Sequence, residues 1–172
     1  NKSAKAKASE MEHAIRYHIK VNMEKDPALY TKFSERLQRI IDVHKENWEK
    51  IVEEFEKFRE EMKTGRKLQN NPVSEHEMPF FDMIASTAGI CEENTDEYKA
   101  VSGVTRDIYI RIKEFVAIPN CWKKHNERKI LESYIYDTLN YCKVESVETH
   151  SLRLTSDIIS LAEKRDTEVR NS

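Results

Sequence analysis

The sequence predicts an all-α protein: a multi-helix domain built on one long spine helix with several shorter helices packed around it. Three observations carry that expectation. Apolar residues recur at threes and fours along most of the chain, the spacing of a helix face. Glycine and proline are scarce, 3 and 4 among 172 residues. Charged residues make up 35% and hydrophobic ones 38%, a balance of solvated helix walls rather than a turn-rich sheet. The glycine scarcity also excludes chemistry. Gly65, Gly89 and Gly103 stand alone, so the chain has neither a phosphate-cradling loop nor a dinucleotide fingerprint.

Residues 1–8 read as a flexible tail, and 9–172 as a single helical domain. Ser9 followed by Glu12 has capping-box spacing. Met11, Ala14, Ile15, His18 and Ile19 then line one face of a helix ending near Asn22. Asp26-Pro27 marks a second start, with Asp as the cap and Pro at a first-turn position where its missing N–H costs nothing. From Leu29 to Lys63 the residues Phe33, Leu37, Ile40, His44, Trp48, Ile51, Phe55, Phe58 and Met62 form one seam, with a stutter of two successive fours around His44 and Trp48. Glu35–Arg39, Glu46–Lys50 and Glu53–Lys57 add i,i+4 pairs. An uninterrupted helix of more than 30 residues, ~50 Å long, is the expectation for this span.

Thr64-Gly65 supplies its stop. Residues 66–74 form a connector. Ser74 and Glu77 imitate a capping box, but a start near Pro79 avoids placing proline inside the helix. Phe80, Phe81, Met83 and Ile84 belong to that helix and Gly89 ends it. The acidic stretch 90–103 stays unassigned. Val104, Ile108, Ile112 and Phe115 or Val116 define the next helix, broken at Ile118-Pro119. The alternation Ile108, Ile110, Ile112 fits a strand as well as a helix wall. Ile130, Leu131, Tyr134, Ile135, Thr138, Leu139 and Cys142 mark a helix over 123–142, and Leu154, Ile158, Leu161 and Ala162 a last one.

The formal net charge is −2, so any polyanion contact must come from local clustering. Residues 64–103 hold 3 basic against 7 acidic side chains, and 104–143 hold 8 basic against 5 acidic. Arg106, Arg111, Lys113, Lys123, Lys124, Arg128 and Lys129 are therefore candidates for contact with double-stranded DNA or a partner protein, with a plain solvated face as the bland alternative. Cys91, Cys121 and Cys142 are odd in number and widely spaced, which fits buried thiols in a reducing cytosol and a cytoplasmic protein. No apolar run approaches the ~20 residues of a membrane span.

Catalytic constellations are weak. His76-Glu77-Met78-Pro79-Phe80 begins like a zinc-protease helix but carries Phe at the second ligand position. His13 and His18 lie five apart, while His125 and His150 are isolated. His44 sits on the apolar seam as a core or interface residue. Glu97-Tyr98-Lys99 and Glu127-Arg128-Lys129 supply an acid-x-lysine fragment without a partner carboxylate on a neighbouring strand; Asp82 has a helical context. The expectation is no catalytic residue, no metal site and no cofactor in this chain.

Asp26-Pro-Ala-Leu-Tyr-Thr-Lys-Phe-Ser-Glu-Arg-Leu37, preceded by Glu12-His-Ala-Ile-Arg-Tyr-His-Ile19 and followed by Lys45-Glu-Asn-Trp48, resembles the C-terminal helical domain of the R (motor and restriction) subunit of type I restriction enzymes. The likeness continues through Pro79–Ile84, Val104–Ile108 and Trp122–Leu139, covering roughly residues 11–143. Cys121 stands where the family pattern has an acidic residue before the tryptophan, with Asn120 as a substitute cap. The resemblance implies a fragment of a larger ATP-dependent endonuclease that uses ATP and Mg and translocates double-stranded DNA. This C-terminal part would dock the motor subunit onto the methyltransferase core. No nuclease or ATPase residue carries over, and no G-x-x-x-x-G-K-[ST] is present. The alternative is a free-standing helical regulatory or structural interaction domain.

Overall fold

The computed structural model describes residues 3–66 and 71–172. The described residues are helical and contain no strand, in agreement with the all-α expectation. They divide into two compact units, one on each side of residues 67–70. Each unit has its own core, and no residue belongs to both.

The first unit contains α1 (Ala4–Asn22), α2 (Pro27–His44) and α3 (Trp48–Thr64). α1 starts before Ser9. Ser3 Oγ accepts from the Ala6 N–H at 3.3 Å, and Ala8 is buried. The alanine-rich run 4–8 is therefore helix rather than tail, held by its own propensity and by Lys7, which pairs with Glu56 at 2.7 Å. Asn1 and Lys2 lie outside the described residues. Asp26 caps α2 as its sequence suggests, accepting from the Leu29 N–H at 3.4 Å.

The spine helix is the main correction. The span expected to be one helix of more than 30 residues is two helices of 18 and 17 residues, α2 and α3, separated by Lys45-Glu46-Asn47. Lys45 adopts φ 46°, and its N–H still bonds the Ile41 carbonyl at 2.8 Å. Asn47 then opens α3 by accepting from the Lys50 N–H at 3.2 Å. The stutter at His44 and Trp48 is this turn. Reversal lets Leu37 and Ile40 of α2 and Ile51, Phe55, Phe58 and Met62 of α3 bury against Met11, Ile15 and Ile19 of α1. A straight helix would have left that seam facing water. Phe33 and Trp48 pack at the core's edge, and His44 is half-buried at the turn. Glu53–Lys57 forms at 2.8 Å as expected. Glu46 falls in the turn, and Lys50 reaches Glu53 instead, at 2.9 Å.

The second unit contains α4 (Met78–Ala88), α5 (Asp96–Val116), a 3-10 turn at Cys121–Lys123, α6 (His125–Asn140), α7 (Glu145–Glu148), α8 (Ser151–Lys164) and α9 (Asp166–Arg170). Pro79 lies in the first turn of α4, and Gly89 closes it with φ 69°, the left-handed conformation that glycine adopts without penalty. Half of the Ser74/Glu77 imitation exists, since Glu77 accepts from the Ser74 N–H at 2.8 Å and shapes the turn before α4. α5 begins inside the unassigned acidic stretch: Thr95 caps it, accepting from the Tyr98 N–H at 3.2 Å, and Asp96 and Glu97 complement the dipole of its first turn. The Ile108–Ile110–Ile112 ambiguity resolves as helix, with Ile108 and Ile112 buried and Ile110 exposed. Asn120 adopts φ 55° and makes no side-chain cap bond, so the turn before α6 is backbone-made rather than capped by Asn120. Phe80, Ile84, Ile108, Ile112, Ile135, Leu139, Leu154 and Ile158 form the middle of this core.

Candidate functional site

The seven basic residues singled out by sequence all lie in the second unit, in three settings. Arg106 is exposed on α5 and donates to the Pro72 carbonyl at 2.6 Å. Lys113 sits two turns further along that face and donates to the Ser172 carbonyl at 2.7 Å. Arg111 occupies another face, stacked over the Tyr134 ring of α6 at 4.9 Å and 3.4 Å from Glu114. Lys123, Arg128 and Lys129 line one cleft of about 350 Å³ with Trp122, His125 and Glu132; Lys124 is exposed beside it. Arg128 is engaged by Glu132 at 3.3 Å.

Trp122 anchors the wall of that cleft. Its ring stands edge-on to Phe115 at 4.9 Å, and its indole N–H donates to Asp166 at 3.0 Å. The Arg170 guanidinium beside Asp166, with Trp122 second, holds that carboxyl below its usual range. Arg170 also reaches Cys121, whose sulfur is buried. Cys121 thus fills the position before Trp122 as a packed thiol under an arginine. Cys142 is half-buried, which pushes its thiol up, and Cys91 is exposed, so only Cys121 of the three thiols expected to be buried is so.

The acid-x-lysine fragments fall on helices, Glu97–Lys99 in α5 and Glu127–Lys129 in α6. His76 is exposed in the turn before α4, and Phe80, the residue in the second ligand position, is fully buried. Among the described residues no group of three or more His, Cys, Asp or Glu side chains is placed to hold a metal ion. Nor is any described helix long and apolar enough to cross a membrane.

Sequence reading missed a second surface, in the first unit. Ala14 and His18, assigned above to one face of α1 with Met11, Ile15 and Ile19, are exposed. They sit beside the core stripe Met11–Ile15–Ile19 and, with Tyr17 and Val21, form one wall of a groove of about 380 Å³ whose other wall includes Arg59 and Met62 of α3. The signal was present: Ala14, Tyr17, His18 and Val21 have i, i+3, i+4, i+7 spacing, a second apolar stripe on a helix that needs only one for its core.

The motif Asp26–Leu37 is used for scaffolding. Asp26 is buried, and Arg66 grips both its carboxylate oxygens, Nε at 2.9 Å and Nη2 at 2.5 Å, while the same carboxylate caps α2. The chain matches no protein-family model, no curated protein and no solved structure.

Proposed function

We propose that this chain is a non-catalytic helical assembly domain, the part of a type I restriction enzyme R subunit that docks the motor and nuclease subunit onto the methyltransferase core. The observation that carries the reading is how the resembling motif is spent. Asp26, Leu37 and the capped start of α2 build a rigid helical unit, and two of its exposed apolar residues, Tyr17 and Val21, share a neighbouring wall, while a third, Val43, lies on α2. A scaffold that fixes Asp26 of that motif internally and leaves aromatic and aliphatic side chains outside is suited to binding protein. ATP, Mg and the endonuclease activity belong, on this reading, to the rest of the parent protein.

The test is capture of purified methyltransferase core by the immobilised chain, with an unrelated helical protein of similar charge as control. Specific, saturable capture supports docking; capture no better than the control removes it.

DNA contact is a second reading, favoured by the convergence of Lys123, Arg128 and Lys129 on one cleft. Residues 71–172 carry 13 Lys and Arg against 18 Asp and Glu, so such contact would be local. Neutralising Lys123, Lys124, Arg128 and Lys129 together should weaken binding to unrelated duplexes alike and flatten the salt dependence. An unchanged affinity and salt slope would take this cleft off any DNA path.

A further inference from the structure

From the groove between α1 and α3 we infer a docking site for an amphipathic helix of a partner protein, one whose apolar stripe is flanked by a carboxylate. α1 is apolar on two adjoining faces. Met11, Ile15 and Ile19 close the core, and Tyr17 and Val21 stay 65% and 51% exposed on the next face. With Met62 on the far wall they enclose about 380 Å³, room for side chains spaced at i, i+3/i+4, i+7 along an incoming helix.

Two further observations specify the occupant. The first is charge. Of the cations of α3, Lys50 and Lys57 bond Glu53, and Lys63 bonds Glu60 at 2.6 Å. Arg59 makes no ion pair among the described residues; Glu60, whose carboxyl feels its charge, is taken by Lys63. The unmatched guanidinium lines the groove beside Lys63, which Glu60 already engages, so the complementary group on the partner is a carboxylate. The second is rigidity. His18, at the groove, leans on Tyr30 at 5.8 Å, Tyr30 meets Phe33 edge-on at 5.5 Å, and Phe33 meets the buried Phe58 at 5.7 Å. This aromatic ladder ties the wall to the core, so little ordering remains to be done on binding. Tyr, Arg and Met are also the residue types enriched where interfaces concentrate their energy.

The inference rests on the docking reading, and its test separates the two. The 172-residue chain, wild type and the exposed-site variants Tyr17→Ala, Val21→Asp and Arg59→Gln, is titrated against purified methyltransferase core after melting curves confirm unchanged folding. Tyr17→Ala and Val21→Asp should each weaken binding on the order of thirtyfold. Arg59→Gln should weaken it less and flatten its salt dependence. Wild type that binds while all three variants bind equally well leaves docking standing and overturns the groove; wild type that does not bind removes the docking reading and the groove with it. Sedimentation of the free chain covers the other occupant: a dimer abolished by Val21→Asp would make a second copy the partner and overturn the inference.

Discussion

At the scale of single residues, Asp26 has two duties that a sequence shows only in part. Its position before Pro27 announces the cap, but nothing in the sequence announces Arg66, forty residues on, whose guanidinium lies 2.5 Å from the same carboxylate with both side chains largely shielded. Asp26→Ala removes the cap and the two-pronged carboxylate partner of a shielded arginine together and should cost the first unit about 3–5 kcal/mol. Asp26→Asn keeps a cap acceptor and should recover about 1 kcal/mol of that loss; chemical denaturation followed by Trp48 fluorescence measures both. Glu53 is legible in the opposite way, its i,i+4 lysine plain in the sequence. Hydrogen bonds from Lys50 and then Lys57 hold its carboxyl down at about 2, against an ordinary 4.5. A depressed carboxyl favours the folded state fully above its unfolded value and loses that contribution as pH falls from about 4.5 through 2. The melting difference between wild type and Glu53→Gln should therefore narrow across that window; a constant difference from pH 6 to pH 2.5 would mean the lysines do not act through this charge.

At the scale of elements, the starts at Pro27 and Pro79 and the stops at Gly65 and Gly89 were legible because proline and glycine carry backbone geometry in their covalent structure. The turn at 45–47 was not. Lys45 has no side-chain preference for φ 46°, and the three-residue turn leaves in the spacing of Ile40, His44 and Trp48 only a 4-4 stutter, which a continuous helix also accommodates. The turn makes an opposite prediction from the unbroken helix at two positions. Lys45→Gly should stabilise by about 1 kcal/mol by relieving the positive φ, and Asn47→Ala should destabilise by about 1 kcal/mol through loss of the cap. In a continuous helix the glycine would destabilise and the alanine stabilise. The start of α5 is legible in the sequence: Thr95 followed by Asp96 and Glu97 is a cap with acids in the first turn. Within α5, Gly103 has nothing within 4 Å of where a Cβ would stand. Gly103→Ala should stabilise the second unit by about 1 kcal/mol, read as a raised melting temperature of the Trp122 signal.

At the scale of the molecule, composition gave the helical class, but division into two units depends on which apolar faces meet, and one-dimensional spacing does not encode that. The basic residues show the same limit: their clustering along 104–143 is plain, while Arg106 on a carbonyl, Arg111 over Tyr134 and Lys113 on the terminal carbonyl follow only from packing. The groove was hidden for a related reason, since Ala14 and His18 look like core until the direction of α3 is known. Because the cores share no residue, Phe55→Ala should cost the first unit about 3–5 kcal/mol and shift the Trp48 transition while the Trp122 transition stays in place, each assigned with the other tryptophan changed to phenylalanine. A single transition moving in both signals would mean the units unfold as one. The central claim, that this chain is an assembly domain, is tested most directly by calorimetric titration of the 172-residue chain into purified methyltransferase core without ATP or DNA. The account predicts saturable binding at a fixed stoichiometry, weakened by Tyr17→Ala; no heat and no co-elution at concentrations where the chain is folded would contradict it.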